Sequence, residues 1–235
     1  MNNLFLKGFY INWDKIDKSS YLRNVSAINN LTEFSFESPV TFFVGENGTG
    51  KSTLLEAIAV AYGFNPEGGT KNYNFSTYDD YSELHNAIRL SRGFTKPGWG
   101  YFLRAESFYN VATKEEEYNG IRSEELHYQS HGESFLNIAQ NQFKPNGFYL
   151  LDEPEAALSP QRQLTLLVEI RNCVKDGSQF IIVSHSPILL GLPGADIFTF
   201  DNGLIHKCKY EDTDSYQVTK MFINEREMLL HRLLN

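Results

Sequence analysis

Apolar residues in this chain come in short blocks, and the spacing between blocks switches between two periods. Residues 40–44 (Val-Thr-Phe-Phe-Val), 148–151 (Phe-Tyr-Leu-Leu) and 180–183 (Phe-Ile-Ile-Val) are uncharged apolar runs. Runs of that kind predict strands buried on both faces. Residues 4–11 and 31–36 alternate apolar and polar positions and predict half-buried strands, and 101–103 predicts a further short strand. A helical period begins at Leu54 and runs to about Tyr62, and another covers 160–174, with Pro160 at its start. Residues 82–90, 215–222 and 225–234 also predict helices. Residues 63–81 are rich in Gly, Asn, Pro, Ser and Asp and predict a loop, while 197–200 and 204–209 flank the turn triplet Asp201-Asn202-Gly203 and predict a closing hairpin. Buried strands alternating with helices imply an α/β fold with a mainly parallel sheet covered on both faces.

Composition narrows the setting. The chain has 235 residues, a length that fits one α/β domain with an inserted subdomain and that buries about 70% of its unfolded surface. The net charge of −8 argues against a broad nucleic-acid-coating surface and leaves room for a local basic groove. The two cysteines, Cys173 and Cys208, lack metal-ligand spacing, so a reducing, cytoplasmic compartment is expected. The N-terminal residues carry no long apolar stretch, and no apolar run approaches the ~18 residues a membrane span needs, so no membrane insertion is expected.

The densest chemistry lies directly after the first buried block. Gly45-Glu46-Asn47-Gly48-Thr49-Gly50-Lys51-Ser52-Thr53 is a complete G-x-x-x-x-G-K-[ST] loop between a predicted strand and a predicted helix. Its glycines let successive N–H groups turn inward toward phosphate oxygens, and the helix N-terminus adds the positive end of its dipole. Lys51 can reach β- and γ-phosphates, and the Ser52 hydroxyl is placed for Mg²⁺. A bare glycine turn with no ligand is the competing interpretation, and the agreement of motif and context disfavours it.

Two later segments complete a constellation. The block at 148–151 ends in Asp152-Glu153, where Asp152 can hold a Mg²⁺ shell while Glu153 faces an attacking water. The alternative is a solvated carboxylate pair after a core strand. Residues 180–183 are followed by Ser184-His185, and a His at the end of a parallel strand sits on the ligand-binding edge of such a sheet. Upstream, Gln129-Ser130-His131-Gly132-Glu133 precedes a helical run. On its own it reads as a Ser N-cap as readily as an anion site.

In order and spacing these segments resemble the ATP-binding-cassette type of ATPase, over nearly the whole chain. The loop Gly45-Glu46-Asn47-Gly48-Thr49-Gly50-Lys51-Ser52 looks like the branch that handles DNA ends and chromosomes. Phe102-Leu103-Arg104-Ala105-Glu106-Ser107-Phe108, Ser130-His131-Gly132-Glu133-Ser134-Phe135 and Asp152-Glu153-Pro154-Glu155-Ala156-Ala157-Leu158-Ser159-Pro160 resemble a family of short bacterial predicted ATPases. The resemblance implies a P-loop fold spanning residues 1–235, with antiparallel N-terminal strands and a small helical insertion at about 63–146. It implies ATP and Mg²⁺ as ligands and a homodimer that sandwiches ATP head to tail. Gly45 to Thr53 would cradle the nucleotide, and Ser130, Gly132 and Glu133 would approach it from the second copy. Ser52 and Asp152 would hold Mg²⁺, Glu153 would be the general base and His185 the γ-phosphate contact.

The chain departs from the family's pattern in several places. His131 stands where the signature has glycine, and Ser159 stands where the following loop has Asp. No Gln marks the end of the strand at 101–103, where Glu106 or Arg104 could substitute for it or simply form a salt bridge. Tyr10, Trp13 and Tyr21 are candidates for stacking on adenine, though each equally fits a packing role. Residues 54–128 are too few for long coiled-coil arms, so the chain reads as a motor or switch head acting on a protein partner or nucleic acid. An import-type nucleotide subunit and a slowly hydrolysing regulatory switch are the competing expectations.

Overall fold

The computed structural model describes residues 4–70, 82–104 and 141–234. Ten strands, β1 (Leu6–Ile11), β2 (Glu33–Ser35), β3 (Val40–Val44), β4 (Gly69–Thr70), β5 (Ile88–Arg92), β6 (Trp99–Arg104), β7 (Gly147–Asp152), β8 (Gln179–Val183), β9 (Asp196–Thr199) and β10 (His206–Cys208), form two sheets. The larger has the order β10-β9-β3-β8-β7-β6-β4 and the smaller β2-β1-β5. The four central pairings, from β9 through β6, are parallel, whereas β10 and β4 close the edges antiparallel. The small sheet is antiparallel throughout. This is the α/β architecture the hydrophobic blocks predict.

Alternation along the central strands sorts their side chains onto two cores. Phe43, Phe148, Leu150, Ile181 and Val183 face one way, onto the small sheet and helix α2 (Lys51–Tyr62; α1 is the short turn Ser26–Asn29). Phe42, Tyr149, Leu151, Phe180 and Ile182 face the other way, onto the helix Pro160–Lys175. Both faces are therefore covered, which is why these strands carry no polar alternation. On the first face the rings of Phe34, Phe43, Phe198 and Phe200 interlock edge to face, with centroids 4.7–5.7 Å apart. The buried Gln179 amide takes the Leu6 N–H at 2.9 Å and donates to the Leu6 carbonyl at 2.8 Å, so it docks β1 of the small sheet onto β8.

Two segments differ from expectation, the first being β4 (Gly69–Thr70), which lies inside the predicted loop at 63–81 and pairs with β6. Residues 82–90 form a single helical turn, α3 (Leu84–Ala87), and then enter β5. Ile88 to Ile11 and Leu90 to Phe9 are cross-strand partners, so pairing with β1 wins over a local helical preference. The helix predicted at 160–174 is α4 (Pro160–Lys175). Its start is set by Ser159, whose hydroxyl accepts the Arg162 N–H, and by Pro160 in the first turn. After the turn α5 (Pro187–Leu190) and the β9–β10 hairpin come α6 (Asp214–Asn224) and α7 (Arg226–Leu234), near the predicted bounds. Within the span 63–146, the described strands β4, β5 and β6 belong to the two sheets, and residues 71–81 and 105–140 lie outside the described residues.

Candidate functional site

The glycine-rich loop connects β3 to α2 at the carboxyl edge of the parallel strands, where open α/β sheets bind ligands. Gly50 precedes the helix with φ +94°, and a Cβ there would lie 2.6 Å from Ile28 Cγ1 and 2.9 Å from Val25 Cγ1. Glycine is thus required both by conformation and by the closeness of residues 25–28. The Lys51 ammonium folds back to donate to the Gly45 carbonyl at 2.7 Å and the Glu46 carbonyl at 2.6 Å. Thr49 Oγ1 donates to the Glu46 carbonyl at 2.8 Å. Burial pulls the Lys51 pKa down, opposed by the carboxylates of Glu153, Asp201, Asp152 and Glu46.

Strand parity decides which carboxylate meets the loop. Asp152 shares the face of Phe148 and Leu150, the face covered by α2. Its Oδ1 therefore receives the Ser52 hydroxyl at 2.8 Å, and the residue is buried. Glu153 lies past the strand end in the left-handed region, at φ +47°, with its N–H held by the Val183 carbonyl at 2.9 Å. That turn swings its side chain out to 42% exposure, and Glu153 Oε1 lies 3.7 Å from His185 Nε2. His185 Nε2 is itself buried and makes no hydrogen bond among the described residues.

The predicted loop residues Gly45 through Thr53 are thus gathered with Asp152, Glu153 and His185 at one edge of the sheet. Ser130, Gly132 and Glu133 lie outside the described residues, as do His131 and Glu106. Arg104, the other candidate at the end of β6, is salt-bridged to Glu56 Oε2 at 2.7 Å. Trp13 packs partly buried, donating its indole N–H to the Leu31 carbonyl at 2.8 Å, whereas Tyr10 and Tyr21 are exposed. Ser159 serves as the α4 N-cap.

Two site residues escape sequence reasoning. Asp201, read there as a turn residue, accepts the Glu46 N–H at 2.9 Å through Oδ1 and the Thr199 hydroxyl at 2.6 Å through Oδ2, bracing the loop entrance. Glu155 accepts the His185 N–H. Asp201 has no motif of its own, because β9 reaches the loop only through its pairing with β3, and Glu155 lies in the 152–160 segment without a role of its own there. The cleft over the loop has a volume of about 1430 Å³ and includes Gly45, Gly48, Thr49, His185 and Asp201 in its walls.

These residues fit a Mg²⁺–nucleotide. The main-chain N–H groups of residues 47–53 donate to no other described residue, which leaves them available to phosphate oxygens. Ser52 and Asp152 present two hard oxygens side by side, the donor type that Mg²⁺ takes.

A protein-family model described as an AAA domain matches residues 21–176. The chain belongs to this AAA-domain family. The described residues carry the glycine-rich phosphate loop and a mainly parallel sheet, as the motifs and hydrophobic blocks lead one to expect. Among curated proteins, the chain is 26% identical over 189 residues to a carbohydrate transport ATP-binding protein of Mycoplasma pneumoniae, covering 66% of this chain and 32% of that protein. It is 30% identical over 124 residues to structural maintenance of chromosomes protein 6 of Takifugu rubripes, covering 43% of this chain and 11% of that protein. The chain therefore spans a third or less of these two relatives. The xylose/arabinose import ATP-binding protein XylG of Sulfolobus acidocaldarius is 26% identical over 225 residues, covering 84% of this chain and 88% of that protein. Among solved structures, an SMC head domain from Thermotoga maritima is similar at 16% identity and a TM-score of 0.48, covering 88% of this chain and 99% of that chain. No helix among the described residues is long and apolar enough to cross a membrane.

Proposed function

We propose that this AAA-domain protein is a Mg²⁺-dependent ATPase that closes into an ATP-sandwiched homodimer. The observation that carries this reading is the meeting of Lys51, the Ser52–Asp152 pair and the Glu153–His185 pair at the end of β3, β7 and β8. The N–H groups of the loop and the Lys51 ammonium bind the phosphate chain by charge-assisted hydrogen bonds. Ser52 and Asp152 hold the Mg²⁺. When bound, that ion neutralises charge on the transferring phosphoryl group. Glu153, its side chain 42% exposed, takes a proton from the attacking water. His185 donates from its imidazole to the γ-phosphate oxygen. Ser130 and Gly132 of a second copy complete the site from the other side.

On this reading the cycle of dimer closure and opening gates a protein partner or a nucleic acid, in the manner of a DNA-maintenance or defence head domain. A second reading, the nucleotide subunit of an importer, draws support from the match to the Sulfolobus import protein across most of both chains. Co-purification with a membrane permease supports the importer, whereas turnover stimulated by DNA supports the first reading.

The test is Glu153→Gln, which keeps size and removes the proton acceptor. ATP binding should persist while turnover falls by about 10²- to 10⁴-fold, and the dimer should accumulate by light scattering. Normal turnover in this variant would place the base elsewhere.

A further inference from the structure

The two groups proposed to act at the γ-phosphate stand on turns after different strands. The ladder between β7 and β8 runs out at Asp152 and Val183, and its last main-chain contact is Glu153 N–H to the Val183 carbonyl. Beyond that point one side chain joins the turns. Glu155, on the helical turn Pro154–Ala157, accepts the His185 main-chain N–H through Oε1 at 2.5 Å. Ser184 is fully buried, and its Oγ accepts the Ser186 N–H at 3.1 Å. Glu155 Oε2 is buried and makes no hydrogen bond among the described residues.

A half-satisfied buried carboxylate is a costly way to tie two surface turns. Burial pushes the Glu155 carboxyl up, and the main-chain N–H groups of His185 and of Glu155 itself, with Ser184, only partly offset this. Past the end of β8 the main chain holds the Ser184 N–H on the Phe43 carbonyl at 3.3 Å, and the Glu155 carboxylate holds the next N–H, that of His185, beside Glu153.

We infer that Glu155 is a positioning residue that holds the His185 main chain so that the imidazole Nε2 stays within 3.7 Å of Glu153 Oε1. It thereby couples the turn carrying the base to the turn carrying the γ-phosphate contact. This rests on the roles assigned above to Glu153 and His185. A displacement of about 1 Å at such a group lowers turnover by on the order of 10²-fold, so a tether of this kind has a kinetic signature distinct from a fold contact.

The experiment compares Glu155→Ala, Glu155→Gln, Glu155→Asp and His185→Ala in the full chain. Glu155→Ala should lower kcat by about 10- to 100-fold with KM for ATP within about twofold. Glu155→Gln keeps a carbonyl acceptor at the same reach and should recover most of kcat. Glu155→Asp keeps the charge but falls short of the N–H, so it should behave like the Ala variant and serves if that variant does not fold. Glu155→Ala combined with His185→Ala should be no slower than His185→Ala alone, because the two act on one group. A readout free of nucleotide comes from ¹⁵N-histidine labelling of the six histidines. The His185 amide resonance should move upfield and broaden in Glu155→Ala and Glu155→Asp, but not in Glu155→Gln. Wild-type kcat in Glu155→Ala or Glu155→Asp, an additive double variant, or an unmoved His185 amide would each overturn the proposal. Normal turnover in both Glu153→Gln and His185→Ala would instead overturn the parent reading, and the amide resonance would still report whether Glu155 holds the turn.

Discussion

At the scale of single residues, the site works by placing charge where the backbone alone leaves donors. Lys51 is 4% exposed and its ammonium already lies inside the loop on the Gly45 and Glu46 carbonyls. Its loss leaves phosphate charge uncompensated, and each charge-assisted contact is worth about 1.5–3 kcal/mol. Lys51→Ala should therefore weaken ATP binding at least about tenfold by calorimetry, and an unchanged affinity would remove Lys51 from the site. Cys173 gives a test at the other pole of the molecule. Burial of Cys173 on the core face of α4, with Glu169 and Asp176 nearby, pushes its thiol up to about 11. The raised folded-state value means the native state resists ionisation. The stabilisation is complete below pH ~9 and is lost as pH rises through about 11, a contribution of roughly 2–3 kcal/mol. Native protein at pH 8 should react with a thiol reagent at Cys173 far more slowly than unfolded chain does, and a midpoint of urea unfolding that does not fall between pH 9 and 11 would contradict the burial argument.

At the scale of elements, the junction of β3 and α2 is the part least tolerant of change. The residues on either side of the loop are fixed by parallel pairing of β3 with β8 and β9 and by helix α2, which packs against the face of Phe148, Leu150 and Ile181. Gly50→Ala adds a Cβ where φ is +94° and where Ile28 Cγ1 is 2.6 Å away. The left-handed conformation costs an alanine about 1–2 kcal/mol and overpacking a further 1–3 kcal/mol. Denaturant unfolding should show a loss of at least about 2 kcal/mol together with weakened nucleotide binding. A stability equal to wild type would mean that the loop relaxes away from residues 25–28. The same scale explains the misjudged segment at 82–90. Ile88–Arg92 is strand because Ile11 and Phe9 of β1 offer it partners, while Leu84–Ala87 alone keeps the helical turn.

At the scale of the whole molecule, one copy gathers the loop, the Ser52–Asp152 contact and the Glu153–His185 contact on one edge of its sheet, with Gly45, Gly48, Thr49 and His185 lining the cleft. On the dimer reading the segment at Ser130 supplies the missing face from a second copy. Ser130→Arg should then bind ATP nearly normally but neither dimerise nor hydrolyse. Mixed with Lys51→Ala it should regain part of one composite site, since each variant spoils a different half of a two-fold pair. Light scattering with Mg-ATP and a mixed-variant ATPase assay decide this. Full activity of Ser130→Arg as a monomer would leave a P-loop ATPase without the sandwich.

The sequence by itself determined the parallel core and the place of the phosphate loop, because both are local. Runs such as 180–183 can be satisfied only by burial on two faces, and the G-x-x-x-x-G-K-S spacing dictates its own turn into a helix. Asp152 and Glu153 were legible as a pair at a strand end, and His185 as a strand-end residue. Asp152 was legible beside Ser52 for the metal shell, and strand parity against α2 is what brings the two side chains together. The site roles of Asp201 and Glu155 were not legible, because their partners are distant in the chain. The Glu46 N–H braced by Asp201 is 155 positions away, and the His185 N–H held by Glu155 is 30 positions away. Contacts of that separation arise from the order in which β9, β3, β8 and β7 lie side by side. No local pattern encodes that order, because it is set by burying two faces of one sheet at once.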